Sequence, residues 1–298
     1  MPAPLTDELS RKELFITAVA QLYLGLIRRH WVIAALLVIT SATMAGQAFW
    51  FGKLPQRLAY LAAIAFSAFV LDLLYLHHRP SPLPVRRPGL ELTIAAICLL
   101  IAFSWLYVHF STVPTRSPGL VTVLFRLAGL LCVFNIPIAL MDLLALRYRL
   151  GALGFRFAVR GHLAVPLILL CFFGLGHLSG AGLTLGEFIH EEGSLWRALP
   201  AAIFISPLPE EFFRMTWQTR LGAVTRNAAS AWFLTAVFWA FLHAPDFHAG
   251  AATWTPALIG CANLVPLGLL WGYVLHRTRS LIPSLVLHSF NFSGLQNF

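Results

Sequence analysis

Apolar runs close to twenty residues long recur along the chain, parted by short stretches where arginine, glycine and proline collect. A helix needs about twenty apolar residues to cross a hydrocarbon core of roughly 30 Å. The pattern predicts nine such helices, over residues 31–51, 58–76, 90–110, 127–146, 162–179, 195–213, 228–245, 254–275 and 281–297, the last one short. Ahead of them, Leu14 to Ile27 is too short to span and is flanked by Arg11-Lys12 and Arg28-Arg29, which suits an interfacial amphipathic helix over residues 1–30. The expected fold class is therefore all-α, a polytopic helical membrane protein.

Composition agrees with the pattern. The 298 residues are 58% hydrophobic and 11% charged, with mean hydropathy +0.76, against about 25% charged in a soluble domain. The formal charge of +9 carries no nucleic-acid signature, because no dense Lys/Arg run with interleaved aromatics is present; the partner implied is the lipid bilayer. With the N-terminus in the cytoplasm and the spans alternating, 16 of the 21 basic residues fall on inner segments, Arg79, Arg147, Arg214, Arg220 and Arg279 among them. The outer side keeps Glu187, Glu191, Glu192 and Asp246. This bias predicts an N-in, C-out topology. Two lysines among so many arginines imply a GC-rich genome and hence a bacterial inner membrane. Cys98, Cys132, Cys171 and Cys261 all lie in apolar runs without CxxC spacing, so neither disulfide nor thiolate–metal chemistry is expected. Nothing at the N-terminus reads as a cleaved signal peptide.

Polarity changes near Arg147–Gly161. Residues 31–150 form an accessory four-helix membrane region with few polar groups, Asp72 and Asp142 excepted, each with arginines close by. Later spans hold nearly all the acids, bases and amides at membrane depth. Gly268-Leu-Leu-Trp-Gly272 is a small-xxx-small pattern that lets a neighbouring helix approach. Ser206-Pro-Leu-Pro-Glu-Glu-Phe-Phe-Arg214 stands out. Ionisable residues are costly in lipid and mark function by default. Ser206 followed by Pro207 reads as an N-cap with proline in the first turn. A helix restarting there puts Glu210 and Arg214 four apart in the favourable orientation for an ion pair. A purely structural pair pinning two helices is the plainer reading.

Two further clusters change the balance: Phe238-Trp239-Ala-Phe-Leu-His243, and Leu285-Val-Leu-His288-Ser-Phe-Asn291. Carboxylates, two histidines and an amide on three spans are expected to converge on one wet cavity. Such a set suits amide hydrolysis: a desolvated carboxylate deprotonates water, a histidine orients it or protonates the leaving amine, and donors stabilise the oxyanion. Glu210 counts toward the inner end of its span and His243 toward the outer end of the next. A depth gap of about 10 Å must therefore be closed by tilt or by a low helix start.

The order Glu210-Glu211…Arg214, then aromatic-x-x-x-His243, then His288 with a following Asn291, resembles the CPBP family, the intramembrane endopeptidases related to CAAX prenyl proteases and also called Abi. Gly268…Gly272-Tyr273…Arg277-Thr-Arg-Ser280-Leu…His288 strengthens the likeness, which covers about residues 155–298 as a protease core. The resemblance implies that Glu210 activates the attacking water, Glu211 supports it, His243 works with Glu210, and His288 with Asn291 stabilises the oxyanion. Its substrate would be a membrane-tethered protein or peptide, cut near its C-terminus. Three departures mark a divergent branch. Arg214 follows the carboxylates one residue sooner than usual, so that either its ion-pair partner shifts or Glu210 faces it. Trp239 stands where phenylalanine is usual, and Asn291 follows His288 by three residues rather than four, Phe292 filling the usual slot.

Alternatives belong to other classes. Zinc held by Glu210, His243 and His288 is possible, though no His-Glu-x-x-His places two ligands on one helix and the expected cofactor is none. A non-proteolytic scaffold, as in bacteriocin self-immunity, would tolerate Glu210→Gln. A transporter would show paired helix interruptions in both halves, and one is seen. His190 with Glu187, Glu191 and Glu192 reads as a solvated loop. His248 and Asp246 could rim the cavity, and Trp31, Trp50 and Trp196 fit interfacial belts.

Overall fold

The computed structural model describes residues 17, 19–21, 23–76, 78, 80–112, 128–157, 159–179, 184–249 and 253–294. His77, Arg79, Arg116, Arg126 and most of the expected interfacial helix lie outside them. Every described element is a helix. Met1–Met44 and Ala45–Phe298 form two compact units; the first is helical through residues 23–29 and into α1 (Trp31–Trp50).

The second unit contains α2 (Leu54–Leu74) and α3 (Pro88–Thr112). An irregular α4 follows, π-helical over Ala128–Asn135, α-helical over Ile136–Leu140 and π-helical again over Met141–Ala145. Then come α5 (Val159–Ser179), α6 (Leu185–Glu192), α7 (Leu195–Phe204) and α8 (Pro207–Thr225). The chain closes with α9 (Ala228–Phe241), α10 (Ala244–Ala249), α11 (Trp254–Thr278) and α12 (Leu281–Phe292).

Among the described residues five helices are long and apolar enough to cross a membrane: α1, α2, α3, α9 continued through α10, and α11. Shorter apolar stretches lie in α4, α5 and α12. Nine spanning helices are thus not confirmed among the described residues, and the expected span 195–213 departs most. It is two helices, parted at Ile205–Ser206. Pro207 and Pro209 have no N–H to continue a helix from α7, and the residue before a proline is pushed out of the α region. Beyond the break α8 buries Glu211, Arg214, Gln218 and Arg220 inside the protein. An average over hydropathy does not distinguish burial in protein from burial in lipid.

One buried cluster ties α2, α5, α11 and α12 together through Leu71, Tyr75, Ile168, Trp271, Val274 and Leu287. Glycine lets these helices approach. A Cβ on Gly161 would lie 2.7 Å from Cγ2 of Thr278, and one on Gly268 would lie 2.6 Å from the Trp239 ring. The Gly268/Gly272 notch therefore receives α9, through Trp239 and Trp232.

Two ionic links also join helices, one between α2 and α11 and one among α3, α4 and α8. Asp72 accepts from the Tyr273 hydroxyl at 2.5 Å and pairs with Arg277 at 3.1 Å. Deeper, Arg220 of α8 donates Nε to Glu91 of α3 at 3.0 Å and Nη2 to Asp142 of α4 at 2.7 Å, and Tyr148 donates its hydroxyl to Glu91 at 2.9 Å. Arg220 and Arg214, counted above as topology determinants, are both buried beside carboxylates. They carry less weight in the positive-inside argument than their positions imply, because their charge is balanced within the protein. The acidic stretch near His190 is helix α6 rather than a loop, opened by a capping box between Thr184 and Glu187. The Thr184 backbone N–H, and then its hydroxyl, lower the Glu187 pKa from its ordinary value.

Candidate active site

Helix α8 starts where the sequence places it, with Ser206 as N-cap and Pro207 in the first turn. The Ser206 side chain accepts no capping bond from a backbone N–H; its hydroxyl donates to Glu210 Oε1 instead. The indole Nε1 of Trp239 donates to the other oxygen, Oε2, at 2.5 Å. The carboxylate is thus held at both ends. On the side left open, His243 Nε2 lies 3.8 Å from Oε1 and His288 Nε2 lies 3.8 Å from Oε2. These separations are too long for hydrogen bonds, yet one water can sit about 2.8 Å from a carboxylate oxygen and an imidazole nitrogen that far apart.

Each imidazole is oriented from behind. His243 Nδ1 lies 3.0 Å from the Trp239 carbonyl oxygen, which can only accept, so Nδ1 carries the proton. His288 Nδ1 lies 2.9 Å from Glu211 Oε1. Both Nε2 atoms consequently face Glu210. Glu211 is itself fixed by Arg214 Nε, at 3.2 Å, and Arg214 Nη1 reaches the Gly268 carbonyl at 3.3 Å. The Arg214 guanidinium also lies over the Trp239 ring, 4.4 Å from its centroid.

The ion pair therefore joins Arg214 to Glu211, not to Glu210 as the i,i+4 spacing predicts. The second carboxylate turns inward to Arg214 and His288, while the first faces the imidazoles. Exposure separates the two in the same sense: the Glu210 side chain keeps 12% of its surface and Glu211 none. The feared gap in depth does not arise. Helices α8 and α9 are joined at Arg226–Asn227 and pack together, so the start of one lies level with the end of the other. His243 sits in the turn that ends α9 ahead of Pro245.

Asn291 lies on α12 three residues after His288, half-buried. Phe292, in the slot one further on, packs edge-on to Phe188 of α6, with centroids 5.7 Å apart. His248, expected near the cavity rim, stacks on Trp254 at 3.9 Å.

Sequence reasoning missed three contributors. The sequence marks Ser206 as a cap and Trp239 as a replacement for the usual phenylalanine, but each donates to Glu210. The third is Asn135 at the end of the first π segment of α4, whose Nδ2 donates to the Pro209 carbonyl at 2.9 Å, one residue before Glu210. The available signal was an amide inside an otherwise apolar run.

Residues 191–292 match a family model described as type II CAAX prenyl endopeptidase Rce1-like. This segment is similar to the CAAX protease family. No curated protein and no solved structure matches the chain. The Rce1-like segment contains Glu210, Glu211, Arg214, His243, His288 and Asn291, whereas Glu91, Asn135 and Asp142, which brace α8, lie outside it.

Histidines whose Nδ1 donates to an oxygen are also the kind that ligate zinc. Among the described residues, however, no group of three His, Cys, Asp or Glu side chains is spaced to hold a metal ion.

The Gly268 notch gives a direct test of how the Rce1-like site is held. Gly268→Ala puts a methyl group 2.6 Å from Trp239 Cε3, costs about 1–3 kcal/mol of overpacking and shifts the indole off Glu210. Thermal unfolding measured beside peptide hydrolysis should show activity falling further than stability.

Proposed function

We propose that the chain is an intramembrane endopeptidase that hydrolyses a peptide bond near the C-terminus of a membrane-tethered protein or peptide. One observation carries this reading: a partly accessible carboxylate with one imidazole facing each of its oxygens at 3.8 Å. Glu210 takes a proton from a water that His243 Nε2 orients by accepting its other hydrogen. The oxygen of that water adds to the scissile carbonyl carbon. His288, when it carries both ring protons, donates through Nε2 to the developing oxyanion while Glu211 balances its charge; Asn291 contributes from the next turn of α12. Collapse of the tetrahedral species breaks the C–N bond, and the proton held by Glu210 passes to the leaving amine, directly or through His243. Ser206 and Trp239 fix the carboxylate, and Arg214 fixes Glu211 behind His288. The CAAX family of residues 191–292 supports a peptide bond as the target, and an inner-membrane location with the N-terminus in the cytoplasm belongs to the same proposal.

The test is purified protein in liposomes with a lipid-anchored peptide, the products read by mass spectrometry. Cleavage near the peptide C-terminus is expected. Uncleaved peptide under every lipid condition, from protein that melts cooperatively, would leave the scaffold reading standing. No step above passes through a metal, so the rate is expected to stay within about twofold after treatment with 1,10-phenanthroline. Loss on chelation with recovery on added zinc would move Glu210, His243 and His288 to a metal-centred mechanism.

A further inference from the structure

A cavity of about 300 Å³ opens at the other end of α8, between residues 82–85, the second half of α8, the start of α9 and the end of α11. Its wall includes Gln218, Thr219, His276 and Arg279, and no acidic residue. The α8 wall residues begin eight positions after Glu210, about 12 Å along a helix. The cavity is therefore separate from the hydrolytic site.

Arg279 is the unusual member. Its backbone is left-handed, φ 52°, a conformation in which Cβ crowds the next carbonyl and glycine is the unstrained choice after a helix. Nothing about the turn needs the side chain. The Arg279 N–H bonds the Leu275 carbonyl at 2.9 Å, and Leu281 N–H bonds Gly154 at 2.8 Å. Arg156 bridges the Arg279 and Ser81 carbonyls. Among the described residues no carboxylate pairs with the Arg279 guanidinium; Asp72 is taken by Arg277. Burial first, and then Arg156 and Arg277 close by, lower the Arg279 pKa. A cation kept in a strained position, at a cavity wall, beside other cations and without an internal partner points to an anion from outside.

We propose that this cavity binds a phosphate group, with Arg279 as its main anchor and the His276 imidazole as a second donor. The guanidinium fork matches phosphate geometry. Basic pockets between helices at a membrane face take anionic headgroups, so the phosphate of an anionic lipid is the expected source and free phosphate the other.

The experiment compares the delipidated full-length protein with Arg279→Gly and Arg279→Gln. Each is reconstituted with phosphatidylglycerol or phosphatidylcholine, or titrated with inorganic phosphate, and followed by native mass spectrometry and thermal unfolding. Phosphatidylglycerol is expected to bind the parent about tenfold more tightly than either variant, equivalent to about 1.4 kcal/mol. Phosphatidylcholine, whose phosphate is offset by its own ammonium, should show no such difference. Without ligand, Arg279→Gly should melt at the same temperature as the parent or higher, because glycine relieves the backbone; this keeps loss of binding distinct from loss of fold. An Arg279-dependent response to inorganic phosphate alone would support the site with a soluble ligand. Equal binding of every ligand by parent and both variants, or no binding by any, overturns the proposal.

Discussion

Glu210→Gln should lower the rate of peptide hydrolysis by about 10²–10⁴-fold, the usual share of a general base, and leave the protein folded. The substitution is close to isosteric and the surroundings can accommodate it. A glutamine amide turned with its oxygen to Trp239 Nε1 accepts the same bond, and its NH₂ can donate to the Ser206 oxygen, which accepts as readily as it donates. What disappears is the capacity to take a proton from water. The loss should therefore fall on kcat with KM little changed, and unfolding should move by less than about 1 kcal/mol. Glu211→Gln should behave differently, since it strips charge from a fully buried Arg214 and so lowers stability as well as activity. A Glu210→Gln protein that cleaves a tethered peptide at the parental rate would remove the hydrolytic reading altogether.

Much of this arrangement was legible in the sequence, and for a physical reason. Acids, imidazoles and amides are so costly at membrane depth that the few present, Glu210, His243 and His288, had to meet somewhere, and they do. Ser206-Pro207 also announced the start of α8. Periodicity failed at the same place. The apolar run through 195–213 counted as one span although the prolines marked a restart within it, and run length did not give the reason that Glu210 lies level with His243. The Arg214 partner was not legible either. Spacing of three and of four residues both place a carboxylate beside the arginine; the choice of Glu211 depends on His288 and Gly268 from α12 and α11. Donors such as the Trp239 indole and the Asn135 amide depend on tertiary approach, which local pattern does not encode. Arg220 is the clearest case of a misreading: a basic residue between two apolar runs reads as a topology determinant until Glu91 and Asp142 arrive from more than seventy positions away.

That triad carries the other large effect. Arg220→Met should destabilise the protein by about 3–5 kcal/mol, because two carboxylates remain buried without a cation. Glu91 and Asp142 have no exposed surface, and Arg220 has 1%. Lysine at 220 keeps the charge but lacks the fork that reaches both acids, through Nε to one and Nη2 to the other, and should fall between methionine and the parent. Neutralising all three positions separates charge from packing. Arg220→Met combined with Glu91→Gln and Asp142→Asn should recover most of the loss, since exchanging a whole buried ionic cluster for neutral groups of similar size is often near neutral. Chemical unfolding of the purified proteins, followed by helical circular dichroism, measures the series. The triple variant matters most for function. Glu91 and Asp142 lie outside the Rce1-like segment, yet through Arg220 they grip the helix that presents Glu210. If the triple variant regains stability and also hydrolysis, the earlier helices act as a brace that any well-packed contact can replace. Arg220→Met unfolding at the parental midpoint would show instead that α8 is held by its apolar contacts and that the buried charges contribute nothing net.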